Sequence, residues 1–215
     1  MSIENTAFTW ETGTVSGLWQ HPGNASTYLV LGHGAGGNMH TPGLAAFADA
    51  LTVHGIGVVR FNFPYAEANR KVPDPQSRLE ACYRVVATEV VRRARRVFLG
   101  GRSMGGRIAS HIVASGFPAA GLVCLSYPLH PPGKPTQLRT AHLPQITVPM
   151  LFIQGSRDAF ARSDLLTETL MTLPAATLHV VDGADHSLAV RGRPLADIVR
   201  ELVDVTTAWI TSLPT

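Results

Sequence analysis

The segment Gly101-Arg102-Ser103-Met104-Gly105 is the place in this chain where residue type and spacing most directly suggest chemistry. A serine that must project from a sharp turn needs unusual backbone angles, and glycines two residues to either side let a strand and a following helix approach closely. The bare G-x-S-x-G pattern is common; its informative feature is its place between the apolar run Val97 to Gly100 and a helical pattern from Met104 to Val113. A serine hydroxyl is a poor nucleophile at neutral pH, so it needs a base to take its proton and a third group to hold the base.

Later segments supply both partners. Met150 to Gln154 reads as a strand and Gly155 to Asp158 as the turn after it; Thr177 to Val181 reads as another strand, with Asp182 to His186 as its loop. The order serine, acid, histidine on successive loops makes Asp158 the expected acid and His186 the expected base. His21, His40 and His54 precede the serine, His111 lies on the helix after it, and His179 falls inside a strand. Asp182 and Asp185 are too close to His186 in one tight loop to orient its ring as a group from an adjacent loop can.

Charge developing on a carbonyl oxygen would need two hydrogen-bond donors. The backbone N–H of Met104, at the start of its helix, is one. Gly32-His33-Gly34-Ala35-Gly36-Gly37 is a glycine-rich turn after the first parallel strand, and the N–H of Ala35 is the expected second. This turn lacks the lysine of a phosphate-cradling G-x-x-x-x-G-K-[ST] loop and the spacing of G-x-G-x-x-G, so no nucleotide cofactor is expected, and no metal.

The elements that must position these groups alternate. Short apolar runs at Tyr28 to Leu31, Gly57 to Phe61, Val97 to Gly100, Gly121 to Ser126, Met150 to Gln154 and Thr177 to Val181 are separated by helical patterns, which predicts a mostly parallel sheet flanked by helices, an α/β fold. Leu79, Cys82, Tyr83, Val86 and Val90 form one apolar helix stripe; Leu195, Ile198, Leu202, Val205 and Trp209 form another. Thr6 to Gln20 alternates as an antiparallel edge hairpin should. Two proline-rich loops, Ala66 to Gln76 and Pro128 to Pro149, should emerge at the carboxyl edge of the sheet and shape the substrate pocket. Neither is long enough for a separate cap domain.

With 215 residues and 45% apolar content, one domain over residues 1–215 is expected. The formal charge is +3, and the densest basic cluster, Arg92, Arg93, Arg95 and Arg96, reads as a solvated helix end, so nucleic acid is not an expected partner. Cys82 and Cys124 sit in apolar periodic segments and read as buried free thiols of a reducing compartment. The opening residues carry no basic-then-apolar leader and no run approaches the ~20 apolar residues of a bilayer span, so a cytoplasmic location away from membranes is expected.

From Tyr28 to the C-terminus the chain resembles the α/β-hydrolase superfamily, and within it the small dienelactone-hydrolase-like branch that includes bacterial proteins similar to testis-expressed protein 30 and to the hydrolase-like part of a histone acetyltransferase complex subunit. The resemblance is carried by Gly32 to Gly37, Arg60-Phe-Asn-Phe-Pro-Tyr65, Gly100 to Gly106, Ser126 to Pro135, Gln154 to Asp158 and the His186 loop. It implies an α/β-hydrolase fold and a serine hydrolase acting on a small-molecule acyl compound. Serine stands where true dienelactone hydrolases have cysteine, which argues against dienelactone itself.

Asn62, Tyr65, His130 and Arg139 lie on or near the carboxyl-edge loops and are expected substrate contacts. Ester hydrolysis through an acyl-enzyme is the leading expectation. A non-catalytic interaction module on the same fold, and an acyl transferase or perhydrolase with the same three residues, are the alternatives.

Overall fold

The computed structural model describes residues 2–214. Its strands are β1 (Ser2–Trp10), β2 (Gly13–His21), β3 (Thr27–Gly32), β4 (Gly57–Phe61), β5 (Arg96–Arg102), β6 (Gly121–Leu125), β7 (Met150–Gly155) and β8 (Ala176–Val181). The helices are α1 (Pro42–Val53), α2 (Pro64–Glu67), α3 (Gln76–Arg93), α4 (Met104–Ala114), α5 (Ser163–Met171) and α6 (Leu195–Ser212). All eight strands form one sheet in the order β1-β2-β4-β3-β5-β6-β7-β8. β3 to β8 run parallel, while β1 and β2 form an antiparallel hairpin joined to the edge of β4.

Strand side chains alternate between two cores. Val30, Leu99, Cys124 and Phe152 face the layer that contains α3, α4 and α5, whereas Leu29, Phe98, Val123 and Leu151 face α1 and α6. Burial on both faces explains why the strands are near-continuous apolar runs. On α3, Leu79, Cys82, Tyr83, Val86, Ala87 and Val90 are buried, so the stripe read from spacing is the packed face. Both cysteines are buried and unpaired.

The chain winds from β3 outward to β4 and then returns to β5 on the other side of β3. This reversal opens a crevice at the carboxyl ends of β3 and β5, where open α/β sheets bind ligands. Both proline-rich loops do emerge at that edge, but the first begins in the short helix α2 and the second contains a 3-10 turn at Leu143–Gln145. Among the described residues no cap is inserted, and no helix is long and apolar enough to cross a membrane.

Candidate active site

Ser103 occupies the single residue between β5 and α4, at φ 51° and ψ −115°. That left-handed conformation is costly for a side-chain-bearing residue and persists only where its surroundings impose it. The imposing contacts are visible. A Cβ on Gly105 would overlap the Gly32 carbonyl group and approach the carbonyl oxygen of His33 at 2.8 Å, so only glycine allows α4 to start this close to β3. The Ser103 N–H is held by the Leu125 carbonyl at 2.8 Å.

Two loops bring polar groups to the serine. His186, after β8, places Nε2 2.8 Å from Ser103 Oγ. Its Nδ1 lies 2.9 and 2.8 Å from the two carboxylate oxygens of Asp158, after β7. A carboxylate only accepts hydrogen bonds, so Nδ1 carries the ring proton and Nε2 presents its lone pair to the serine hydroxyl. The Asp158 side chain is fully buried and the His186 side chain 22% exposed. Besides His186, Asp158 accepts hydrogen bonds from Gln154 Nε2 and from the Phe160 N–H at 2.8 Å. These donors satisfy both oxygens of a carboxylate withdrawn from water.

The rival groups serve elsewhere. Asp182 accepts from Ser156 Oγ at 3.0 Å, and Asp185 accepts from the N–H groups of Ser187 and Ala189. His179 pairs with Glu201 at 2.7 Å, and His111 stacks on His142 with 3.6 Å between ring centroids.

Ser103 and His186 open on a cavity of ≈ 200 Å³ that is also lined by Gly34, Ala35, Arg102 and Phe160. Met104 is the first residue of α4, where an N–H has no intrahelical acceptor. Ala35 reaches the same cavity because Gly34 packs against Ser103, with only 3.6 Å between a Cβ built on Gly34 and that of Ser103.

His130, Tyr65, Asn62 and Arg139 are not brought to this cavity, and the proline-rich loops that carry or adjoin them line none of it. Their polar groups brace the backbone around it. Both His130 ring nitrogens are engaged, Nδ1 donating to the Pro131 carbonyl at 2.9 Å and Nε2 accepting from the Arg162 N–H at 3.0 Å. With the His130 N–H donating to the Phe160 carbonyl, the second loop clamps the segment that follows Asp158. Tyr65 is buried and donates to the Gly34 carbonyl; Asn62 accepts from the Met39 N–H and donates to Glu67. The Arg139 carbonyl accepts from buried Tyr127.

His33 completes the support of the glycine-rich turn. Its Nδ1 donates to the Gly34 carbonyl at 2.9 Å and its Nε2 accepts from the Phe63 N–H at 3.0 Å. Burial pushes its pKa down to about 4, so the ring is neutral in both roles at ordinary pH.

Sequence reasoning missed Phe160 and Arg102 as parts of the site. Phe160 is two residues beyond Asp158, a spacing with no diagnostic value of its own. Arg102 was visible as the residue before the serine, yet nothing local says which way it points. Strand alternation sends it toward the α1 and α6 face, where Nη2 lies 3.4 Å from the His186 carbonyl.

The family described as alpha/beta hydrolase domain matches residues 25–211. The fold is also similar to an alpha-beta serine hydrolase homologue from Coxiella burnetii, with TM-score 0.79, 20% identity and 98% of each chain covered. A lidless serine hydrolase from Xanthomonas campestris aligns with TM-score 0.75 and 22% identity over 100% of this chain and 97% of its own. Dienelactone hydrolase from Anabaena variabilis aligns with TM-score 0.78 and 16% identity over 100% and 99%. At these identities the likeness is one of fold.

Proposed function

We propose, from the premise that the chain belongs to the alpha/beta hydrolase domain family, that this hydrolase is a serine esterase in which Ser103, His186 and Asp158 act as a catalytic triad. The observation that carries the reading is the unbroken line from buried Asp158 through the His186 ring to Ser103 Oγ, with hydrogen-bond distances of 2.8 to 2.9 Å throughout.

In this reading Ser103 Oγ attacks the acyl carbonyl carbon while its proton passes to His186 Nε2. The carbonyl π electrons move onto oxygen, where the N–H groups of Ala35 and Met104 receive the charge. Collapse of the tetrahedral intermediate breaks the bond to the leaving oxygen, which takes the proton from Nε2. Water then repeats the sequence on the acyl-enzyme and frees Ser103. Asp158 keeps the proton on Nδ1 and stabilises the imidazolium formed in each half-reaction. Ester substrates rank first because they demand least leaving-group activation, and a small-molecule acyl compound fits a cavity of ≈ 200 Å³.

The motifs support a place in the dienelactone-hydrolase-like branch, near proteins similar to testis-expressed protein 30. Two buried free thiols favour the reducing cytoplasm as its location.

Labelling with a fluorophosphonate probe and hydrolysis of p-nitrophenyl butanoate test the function. The wild type should do both and Ser103→Ala neither. A folded wild-type protein that is neither labelled nor active would overturn the reading, and labelling that persists in Ser103→Ala would overturn the assignment of the nucleophile.

A further inference from the structure

A second cavity, of ≈ 160 Å³, lies against the one that opens on Ser103, and the two share Arg102 and Leu44 as walls. It sits on the α1 and α6 side of the sheet. Its other walls include Leu125, Leu188, Ile198, Val199 and Leu202, all aliphatic. Ser187, Leu188 and Ala189, which follow His186 directly, form part of its lining.

The chain accepts strain to build this wall. Leu188 has φ 59°, a left-handed conformation that is an outlier for a bulky side chain. Asp185 imposes it: its carboxylate accepts from the N–H groups of Ser187 at 2.7 Å and Ala189 at 3.1 Å, and its carbonyl accepts from Leu188 at 2.9 Å. The residue before His186 thus fixes the residues after it in the turn that seats Leu188 beside α6.

We infer that this cavity receives the acyl tail of the substrate, and that the tail is a medium-length, uncharged hydrocarbon chain. The inference rests on the reading of Ser103 as an acyl nucleophile. Three features select this occupant. The cavity adjoins the one that opens on the serine, and a tail bonded to the attacked carbonyl has only the side chains of Arg102 and Leu44 to pass to enter it. Its walls are mainly aliphatic, and Arg193, which also lines it, is paired with Glu201 at 2.6 Å, so water finds few partners there, whereas a hydrocarbon gains by leaving solvent. Its size sets the length, since an apolar void of about 150 Å³ accommodates the six carbons of benzene. Arg102 can line the passage with its methylene stem while its head stays at the His186 carbonyl.

A series of p-nitrophenyl esters from acetate to dodecanoate, run on the wild type and on Val199→Phe, tests the inference. Wild-type kcat/KM should rise about fourfold for each methylene that enters the cavity, peak near hexanoate to octanoate, and fall beyond. Val199→Phe should lower the octanoate-to-acetate ratio more than tenfold. A series that is flat while fluorophosphonate labelling of Ser103 succeeds would overturn the acyl-tail assignment and leave the hydrolase reading standing. So would a ratio unmoved by Val199→Phe, or a preference for a carboxylate-ended tail over a hydrocarbon of equal length. An independent arm titrates octanoate into Ser103→Ala and follows the methyl NMR signals of Ile198, Val199 and Leu202. Saturable shifts support the cavity as the chain site, even in a protein whose serine fails to react; unmoved signals overturn it.

Discussion

The Phe160 ring stacks on the imidazole of His186, with 4.1 Å between centroids and 27° between planes. The same residue's N–H donates to Asp158, so Phe160 holds both His186 and Asp158 at once. Truncation to Phe160→Ala removes the ring and leaves the backbone bond. A stacked aromatic contact is worth about 1 kcal/mol, so kcat should fall about fivefold with KM less affected, measured on p-nitrophenyl butanoate. An unchanged kcat would show that Asp158 alone orients the imidazole.

Gly105→Ala tests the geometry of the serine turn. The added methyl meets the backbone of Gly32 and His33, which no side-chain rotamer can relieve. Stability should fall by about 2–3 kcal/mol, read from urea unfolding, and fluorophosphonate labelling should slow because Ser103 immediately precedes the displaced helix. Wild-type stability and labelling in this variant would mean that β3 and α4 have slack between them.

His33 predicts a pH dependence of stability. Its folded pKa, about 4, lies below the ordinary value of 6.5 because the ring is buried. Above pH 6.5 the ring is neutral in both states. Between pH 6.5 and 4 the unfolded chain binds a proton that the folded protein refuses, so stability falls as pH falls, by up to about 3 kcal/mol across the window. Below pH 4 both forms are protonated and this contribution is gone. Urea midpoints at pH 7 and pH 4.5 should differ less in His33→Asn than in the wild type; equal differences would remove His33 as the source.

His130→Ala separates bracing from substrate contact. The substitution leaves the Arg162 N–H without its acceptor, an expected loss of about 1–3 kcal/mol. Because His130 clamps the segment after Asp158, kcat should drop several-fold while KM for p-nitrophenyl butanoate stays near the wild-type value. A rise in KM at constant kcat would place His130 on the substrate side.

Much of the fold was legible because its signals are local. Each parallel strand is a short apolar run that must be buried on both faces, and each helix stripe repeats at one turn's spacing, so periodicity alone gave β3 to β8, α3 and α4 nearly to their ends. The turn at Ser103 was legible for a similar reason. Gly101 and Gly105 are required by backbone crowding within a few residues of Ser103, and crowding of that kind leaves its record in residue type.

The sequence by itself therefore determined the order of strands and helices, the strained turn at Ser103, and which histidine and aspartate follow on the right loops. Only the tertiary structure decided what surrounds them. His130, Tyr65 and Asn62 look like site residues because they are polar and lie at the carboxyl edge, yet their hydrogen bonds go to backbone groups 32, 31 and 23 positions away. Phe160 and Arg102 join the site through the packing of separate segments against one sheet. Contacts of that range depend on how all the layers settle together, and no spacing within a single segment encodes them.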